Sequence, residues 1–155
     1  MTEKYYNIEI MAEIILILIQ KFGNDRLIKY LLDRLIRKES DYLPLLHKST
    51  GVLKLEEEYK ISISGLSRIK IRSIKNLKGK VIIEHGLPES QAIQMCFKAN
   101  NKDEVKKILE EVKNNLVCIT TKEDKYLKRS ITRSKNSSGY YWDEIYKECG
   151  IEVVN

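Results

Sequence analysis

The stretch over residues 79–89, Gly-Lys-Val-Ile-Ile-Glu-His-Gly-Leu-Pro-Glu, constrains the fold more than any other part of this chain. Its apolar run at 81–83 is too short for a helix and predicts a strand, which ends at Glu84 and His85. A glycine follows, and then Pro88, a residue type favoured in the first turn of a helix. The chain is therefore expected to pass here from a strand through a turn into a helix.

Beyond this turn, helix and strand signals follow one another regularly. In chain order the predicted elements are a helix from Pro88 to about Lys98, a helix from Asn101 to Asn114, a strand over 116–120, a helix opened by Thr121–Asp124, a helix over 143–149 and a strand over 151–154. Asn101 and Glu104 have the spacing of a capping box, and the segment from Thr121 repeats that arrangement. Gly150 is placed to end the last helix.

The first third of the chain reads as mainly helical. Apolar residues recur on one side of the segment 24–38, which predicts an amphipathic helix with its cations on the other side. Asn7 could cap a helix over 8–20, although the β-branched residues in that segment also permit a strand. A short helix is predicted around Pro44, carrying Leu45, Leu46 and His47 and ending at Ser49-Thr50-Gly51.

These signals predict an α+β fold, in which an N-terminal helical pair packs on a small mixed β-sheet flanked by helices. With 155 residues and 43% hydrophobic residues, the chain suits a single domain, 1–155. Residues 1–55 form its mainly helical N-terminal part and residues 56–155 its basic α/β part.

The cysteines and the apolar run at 14–19 indicate where the protein works. Cys96, Cys118 and Cys149 are far apart and contain no C-x-x-C pair, so we expect reduced thiols rather than a disulfide framework or a cysteine zinc site. The apolar run is shorter than the roughly 20 residues that a membrane-spanning helix needs. We therefore predict a cytoplasmic protein with no membrane association.

Positive charge is concentrated in two regions. The chain carries 28 Lys and Arg against 22 Asp and Glu, and no acid interrupts residues 59–83, which read either as half-buried strands or as a helix with one cationic side. Such an unbalanced run predicts phosphate binding, and hence nucleic acid or a nucleoprotein complex as partner. The predicted phosphate-binding residues are Lys60, Arg68, Lys70, Arg72, Lys75, Lys78 and Lys80, with Lys122, Lys125, Lys128, Arg129, Arg133 and Lys135 in the second region. The acidic Glu56-Glu57-Glu58 before the first region is expected to be solvated.

Aromatic residues follow the second basic region. Tyr140 and Tyr141 could stack on the bases of a single-stranded nucleic acid, or could anchor the last helix to the core. For Trp142 we favour the anchoring role.

Glu84, His85 and Pro88 resemble the first half of the motif of HNH (ββα-metal) nucleases. The resemblance implies that His85 deprotonates a water while Glu84 helps to hold a divalent metal ion on the scissile phosphate. The family pattern continues with an asparagine or histidine on the next helix and a further histidine, whereas here Asn100 and Asn101 are the nearby candidates. No histidine follows His85 in the chain. The order of elements from 81 to 154 also resembles small uncharacterised proteins of phages and mobile elements, a likeness that implies no activity.

Three other residues have a structural and a functional interpretation. His47, a lone histidine beside leucines, is expected to be a satisfied, partly buried side chain rather than a ligand. Glu123 and Asp124 could offer carboxylates to a metal ion, but a capping role explains them more simply.

Two functions remain open from the sequence. The first is a nucleic-acid-associated protein of a mobile element, with metal-dependent nuclease activity at His85 as an added possibility that would require a divalent metal. The alternative is a non-catalytic inhibitor, of the anti-restriction or anti-CRISPR type, that binds a host nucleoprotein complex. Either protein could form a homodimer through helix 24–38.

Overall fold

A computed structural model describes residues 7–129 and 142–155, leaving aside the side chains of residues 128, 129 and 142–144. The described helices are α1 (Ile8–Phe22), α2 (Arg26–Ser40), α3 (Thr50–Tyr59), α4 (Arg68–Ser73), α5 (Glu89–Lys98), α6 (Lys102–Asn114), α7 (Thr121–Arg129) and α8 (Trp142–Glu148). The strands are β1 (His47–Ser49), β2 (Val81–His85), β3 (Leu116–Thr120) and β4 (Val153–Val154), and a 3₁₀ turn spans Lys75–Leu77. The α+β prediction is confirmed.

The four strands form one mixed sheet in the order β2-β3-β1-β4. Strand β1 runs parallel to β3 and antiparallel to β4, while β2 pairs antiparallel with β3. Successive side chains of a strand point to opposite faces of the sheet. Cys118 accordingly belongs to the apolar cluster that includes α3 and α4, whereas Ile119 packs with Leu127 of α7 and Tyr146 of α8. Both faces of the sheet are covered.

The N-terminal helical pair belongs to a separate apolar cluster, formed with α5 and α6. The buried residues of α6 are Val105, Ile108, Leu109 and Val112, and they pack with Ala12 and Ile15 of α1. Helices α5 and α6 connect β2 to β3, so they join this cluster to the sheet. The predicted helical pair therefore packs mainly on α5 and α6, and not on the sheet as the sequence had indicated.

Several local predictions are confirmed by capping contacts. Asn7 accepts hydrogen bonds from the N–H groups of Glu9 and Ile10, so the ambiguous segment 8–20 is a helix. Asn101 accepts from the Glu104 N–H, and the Glu104 carboxylate accepts in return from the Asn100 N–H. Before α7 the box lies one residue earlier than predicted, between Thr120 and Glu123.

The prediction for residues 44–51 is wrong. Residues His47–Ser49 form strand β1, and Ser49-Thr50-Gly51 begins helix α3 instead of ending a helix. The Ser49 hydroxyl accepts from the Val52 N–H as an N-cap. Pairing of β1 with strands on both of its sides satisfies its backbone, a tertiary effect that no local sequence pattern reveals.

Two further expectations need correction. Glu56, expected to be solvated with its acidic neighbours, is 8% exposed and pairs with Lys48 at 2.7 Å. The strand interpretation of 69–71 is wrong, because these residues lie in α4. The described residues contain no helix that is both long enough and apolar enough to cross a membrane.

Candidate functional site

The first predicted basic region lies mainly on the surface. Six of its seven predicted cations are exposed, namely Lys60, Lys70, Arg72, Lys75, Lys78 and Lys80. The seventh, Arg68, is largely buried and lies 3.5 Å from Asp41, which Arg72 also approaches. Within the described ranges, none of the five exposed lysines has a carboxylate at ion-pair distance. Their charges are therefore available to an external anion.

Helix α7 carries the second basic region. Asp124 and Leu127 face inward, whereas Lys122 and Lys125 are exposed. Tyr126, which the sequence reasoning passed over, is 62% exposed beside them. The sequence already showed this aromatic residue next to Lys125 and near Lys122, so the combination could have been noticed there. The side chains of Lys128 and Arg129, and residues Arg133, Lys135, Tyr140 and Tyr141, lie outside the described part of the chain, as does the Trp142 side chain.

The fold brings the two basic regions together. The Thr121 N–H donates a hydrogen bond of 2.9 Å to the Lys80 carbonyl, and Val81 pairs with Thr120 in the sheet. The end of the first region therefore meets the start of α7. The Lys80 ammonium group lies over the ring of Tyr59, 4.1 Å from its centroid. We call the group Lys78, Lys80, Lys122 and Lys125 the basic corner.

His85 lies at the end of β2 with both ring nitrogens occupied. Its Nε2 is 2.8 Å from the Ser40 Oγ. Its Nδ1 faces the Glu89 Oε1 at 3.0 Å, without a hydrogen bond between the two atoms. Burial lowers the pKa of His85 to about 4, and the nearby charges of Arg68 and Arg37 act in the same direction. The imidazole is therefore neutral near pH 7 and is a weak base.

Glu84 and His85 are not brought together. As neighbours in a strand they point to opposite faces of the sheet. Asn101 caps α6, and Asn100 contacts Glu104 there, so both are committed to a helix start. Among the residues that the structure describes, no group of three or more His, Cys, Asp or Glu could hold a metal ion.

The two partners of His85 differ in their distance along the chain, because Ser40 is 45 residues away whereas Glu89 is four residues away. Ser40 belongs to α2, and Glu89 is the first residue of α5. The Glu89 carboxylate also contacts the Arg37 guanidinium, whose Nε donates to Asp33 at 2.9 Å. The four-residue spacings of Asp33 and Arg37 and of His85 and Glu89 were visible in the sequence. The remaining contacts depend on the packing of α2 against α5.

The protonation of this network follows from its hydrogen bonds. The Ser40 hydroxyl donates to the Ile36 carbonyl at 2.9 Å, so it must accept from the Nε2–H of a neutral His85. The Nδ1 lone pair then faces Glu89, an arrangement that favours a protonated carboxyl. Burial raises the pKa of Glu89 to about 7, against the opposing charge of Arg37 and with support from Asp33. The Glu89 proton therefore titrates near neutrality.

The order Ser40, His85, Glu89 superficially matches a serine–histidine–acid triad. In such a triad the serine donates to the histidine and its oxygen reaches the substrate. Here the Ser40 hydroxyl donates to a helix carbonyl and its residue is 1% exposed. The arrangement positions helices and holds a proton, and it does not present a nucleophile.

Two of the three residues with two interpretations, His47 and Glu123, have structural roles. The two ring nitrogens of His47 contact Asn155 and the Asn114 carbonyl at 2.7 and 2.8 Å, as expected for a satisfied histidine. The Glu123 carboxylate binds the Ser49 hydroxyl and the Thr120 N–H, which confirms its capping role.

Comparisons with known proteins find no matching family model, no significant match among curated proteins and no significant match among solved structures.

Proposed function

We propose that this protein binds nucleic acid through the basic corner. The observation that carries the proposal is the junction of two separate cationic segments at Lys80 and Thr121. Four exposed lysines from these segments lie near one end of β2, and none has an acidic partner at ion-pair distance in the described part of the chain. Lysines in such an arrangement suit the regularly spaced phosphates of a nucleic acid backbone.

Aromatic residues beside the corner favour a single-stranded ligand. Tyr126 is exposed between the lysines of α7, and bases of a single strand can stack on such a ring. The predicted stacking at Tyr140 and Tyr141 lies outside the described residues and stays a prediction. Duplex binding would rest on phosphate contacts alone.

The salt dependence of binding tests this proposal. The affinity for a labelled oligonucleotide should fall steeply with salt, with a slope of roughly 0.7 per phosphate contact for a single strand. Replacing Lys78, Lys122 and Lys125 by Gln should reduce that slope by about 2. The matched control replaces Lys29, Lys98 and Lys107 by Gln. These residues are also exposed and lie on α2, α5 and α6, so the net charge changes equally.

Two results would count against the proposal. Equal loss of affinity in the two triple variants would mean that net charge, not the basic corner, attracts the ligand. Absence of binding by the wild-type protein at about 50 mM salt would remove nucleic acid as a direct partner.

Nuclease activity and an origin in a mobile element stay predictions. The geometry offers no support for His85 as a general base, because its two nitrogens are occupied and its pKa is lowered to about 4. Loss of cleavage in His85→Ala with binding intact would nevertheless establish the enzymatic role. A divalent metal ion would be required only in that case.

Exposed apolar residues favour a second candidate, the inhibitor that binds a nucleoprotein complex. Ile10, Ile14 and Ile17 recur along one side of α1 and are 40–55% exposed. Leu27 and Tyr30 are exposed on α2, the helix through which a homodimer was predicted. Such residues suit protein contacts. Sedimentation at two protein concentrations tests for the dimer, and binding to a nucleoprotein complex without binding to free nucleic acid would favour the inhibitor.

A further inference from the structure

Arg37 is held by two carboxylates yet remains half exposed. Its guanidinium contacts both Asp33 and Glu89, while 52% of its side chain is accessible to solvent. One guanidinium group needs only one carboxylate to balance its charge. The second carboxylate therefore competes with any external anion that approaches Arg37 from the solvent side.

Arg37 also lies close to the arginines of the first basic region. Its charge acts on Arg68, as does that of Arg72, and burial together with these charges lowers the pKa of Arg68. Arg68 and Arg72 share one carboxylate, Asp41, at distances of 3.5 and 4.0 Å that are too long for good hydrogen bonds. Arg72, like Arg37, is exposed. The group thus offers two accessible guanidinium groups beside a third that is incompletely paired.

The charged and titratable groups that face Glu89 come from three elements, namely Asp33 and Arg37 of α2, Arg68 of α4 and His85 of β2. Asp41, directly after α2, pairs with Arg68. Helices α1 and α6, which also pack against α5, contribute apolar residues to their shared cluster. With Glu89 ionised, the three carboxylates of Asp33, Asp41 and Glu89 balance three guanidinium groups. These belong to Arg37, Arg68 and Arg72. With Glu89 protonated, two carboxylates remain, and the group has a net charge of +1.

We infer that Arg37 is a further phosphate contact of this protein, and that a proton on Glu89 releases Arg37 to bind the phosphate. This inference rests on the proposed nucleic-acid binding and adds a residue and a means of regulation to it. A neutral Glu89 no longer competes for the guanidinium group, whereas an ionised Glu89 does. Nucleic acid therefore binds more tightly as the pH falls through neutrality.

Lysine, arginine and nucleic acid phosphates keep their charges between about pH 6 and pH 8. The pKa of His85 is lowered to about 4, so it stays neutral there, while that of Glu89 is raised to about 7 by burial. His47 is the other histidine, and a His47→Gln variant accounts for it.

The test is the affinity for a labelled single-stranded oligonucleotide at about pH 6 and pH 8, at constant salt. For the wild-type protein we expect a gain of roughly threefold to fivefold on acidification, the size of one partly exposed ionic contact. Glu89→Gln should bind at both pH values as the wild-type protein binds at pH 6. Arg37→Gln should bind weakly at both. The matched control, Glu57→Gln, removes an exposed carboxylate of α3 and should behave as the wild-type protein.

Failure of this inference differs from failure of the proposed function. Oligonucleotide binding that is equal at the two pH values, or a pH dependence that persists in Glu89→Gln, overturns the role of Glu89 and leaves nucleic-acid binding intact. Wild-type affinity and pH response in Arg37→Gln overturn the phosphate contact. If the wild-type protein binds at neither pH, both proposals fail. Circular dichroism at each pH checks that Glu89→Gln is folded, and Arg37→Gln tests the same contact from the exposed side.

Discussion

His85 and Glu89 should make the free energy of unfolding depend on pH in opposite directions, so that their two effects cancel in the wild-type protein. The side chains of His85 and Glu89 are 11% and 9% exposed, and burial favours the neutral form of each. The histidine has its pKa lowered to about 4 from 6.5, and the glutamate has its pKa raised to about 7 from 4.5. Each group therefore links the free energy of unfolding to pH, with opposite signs.

The signs and magnitudes follow from linkage. His85 resists protonation in the folded state, so its contribution is present above pH 6.5 and is lost as the pH falls toward 4. Glu89 retains its proton in the folded state, so its contribution is present below pH 4.5 and is lost as the pH rises toward 7. Between about pH 4.5 and pH 6.5 each term changes by about 2 kcal/mol, and the two changes cancel.

The variant Glu89→Gln should show the pH dependence that His85 alone gives to the free energy of unfolding. Its free energy of unfolding, measured by urea denaturation, should fall by about 2 kcal/mol relative to the wild-type protein when the pH is lowered from about 6.5 to 4.5. His85→Gln should show the reverse slope, and the double variant should again follow the wild-type protein. Parallel curves for Glu89→Gln and the wild-type protein would refute the reasoning, because they would mean that His85 titrates normally in the folded state.

Two other predictions concern residues at the sheet. A Cβ at residue 51 would lie 2.6 Å from a carboxylate oxygen of Glu123, which is held by hydrogen bonds from Ser49 and Thr120. Because that carboxylate cannot move without losing these bonds, Gly51→Ala should destabilise the protein by about 1–3 kcal/mol in urea denaturation. Glu123→Ala in the same chain should remove most of that added cost, and full additivity would contradict the clash. Lys48→Met should cost about 3–5 kcal/mol by leaving the buried Glu56 without its cation, whereas Lys54→Met on the exposed side of α3 should cost little. Equal effects of the two lysine substitutions on the urea midpoint would contradict the buried pair.

Local signals were sufficient for most of the helices. The apolar periodicity of α2 and the capping box of α6 appear in the structure at the predicted positions, within about two residues. The strand prediction at 81–83 is also confirmed, with β2 ending at His85. These features depend on residues three or four positions apart, or on a single run, so the sequence contains them completely.

Strand β1 is an element that local sequence patterns do not predict. Three residues, His47–Ser49, have no pattern of their own, and they form a strand because β3 and β4 lie on both sides of them. The same packing buries Glu56 against Lys48, although its two acidic neighbours are exposed as expected. Neither outcome follows from short-range sequence, since the partners lie elsewhere in the chain.

For the candidate site, the sequence determined the charges and the tertiary structure determined their arrangement. Residue type alone gave the two cationic regions and selected His85 as a titratable residue at a strand end. Only the pairing of β2 with β3 placed Lys80 beside the start of α7. Only the packing of α2 against the end of β2 and the start of α5 placed Ser40 and Arg37 beside His85 and Glu89, and the burial of His85 and Glu89 shifted their pKa values. Charge is a property of each residue, whereas desolvation and distance exist only once the chain has folded.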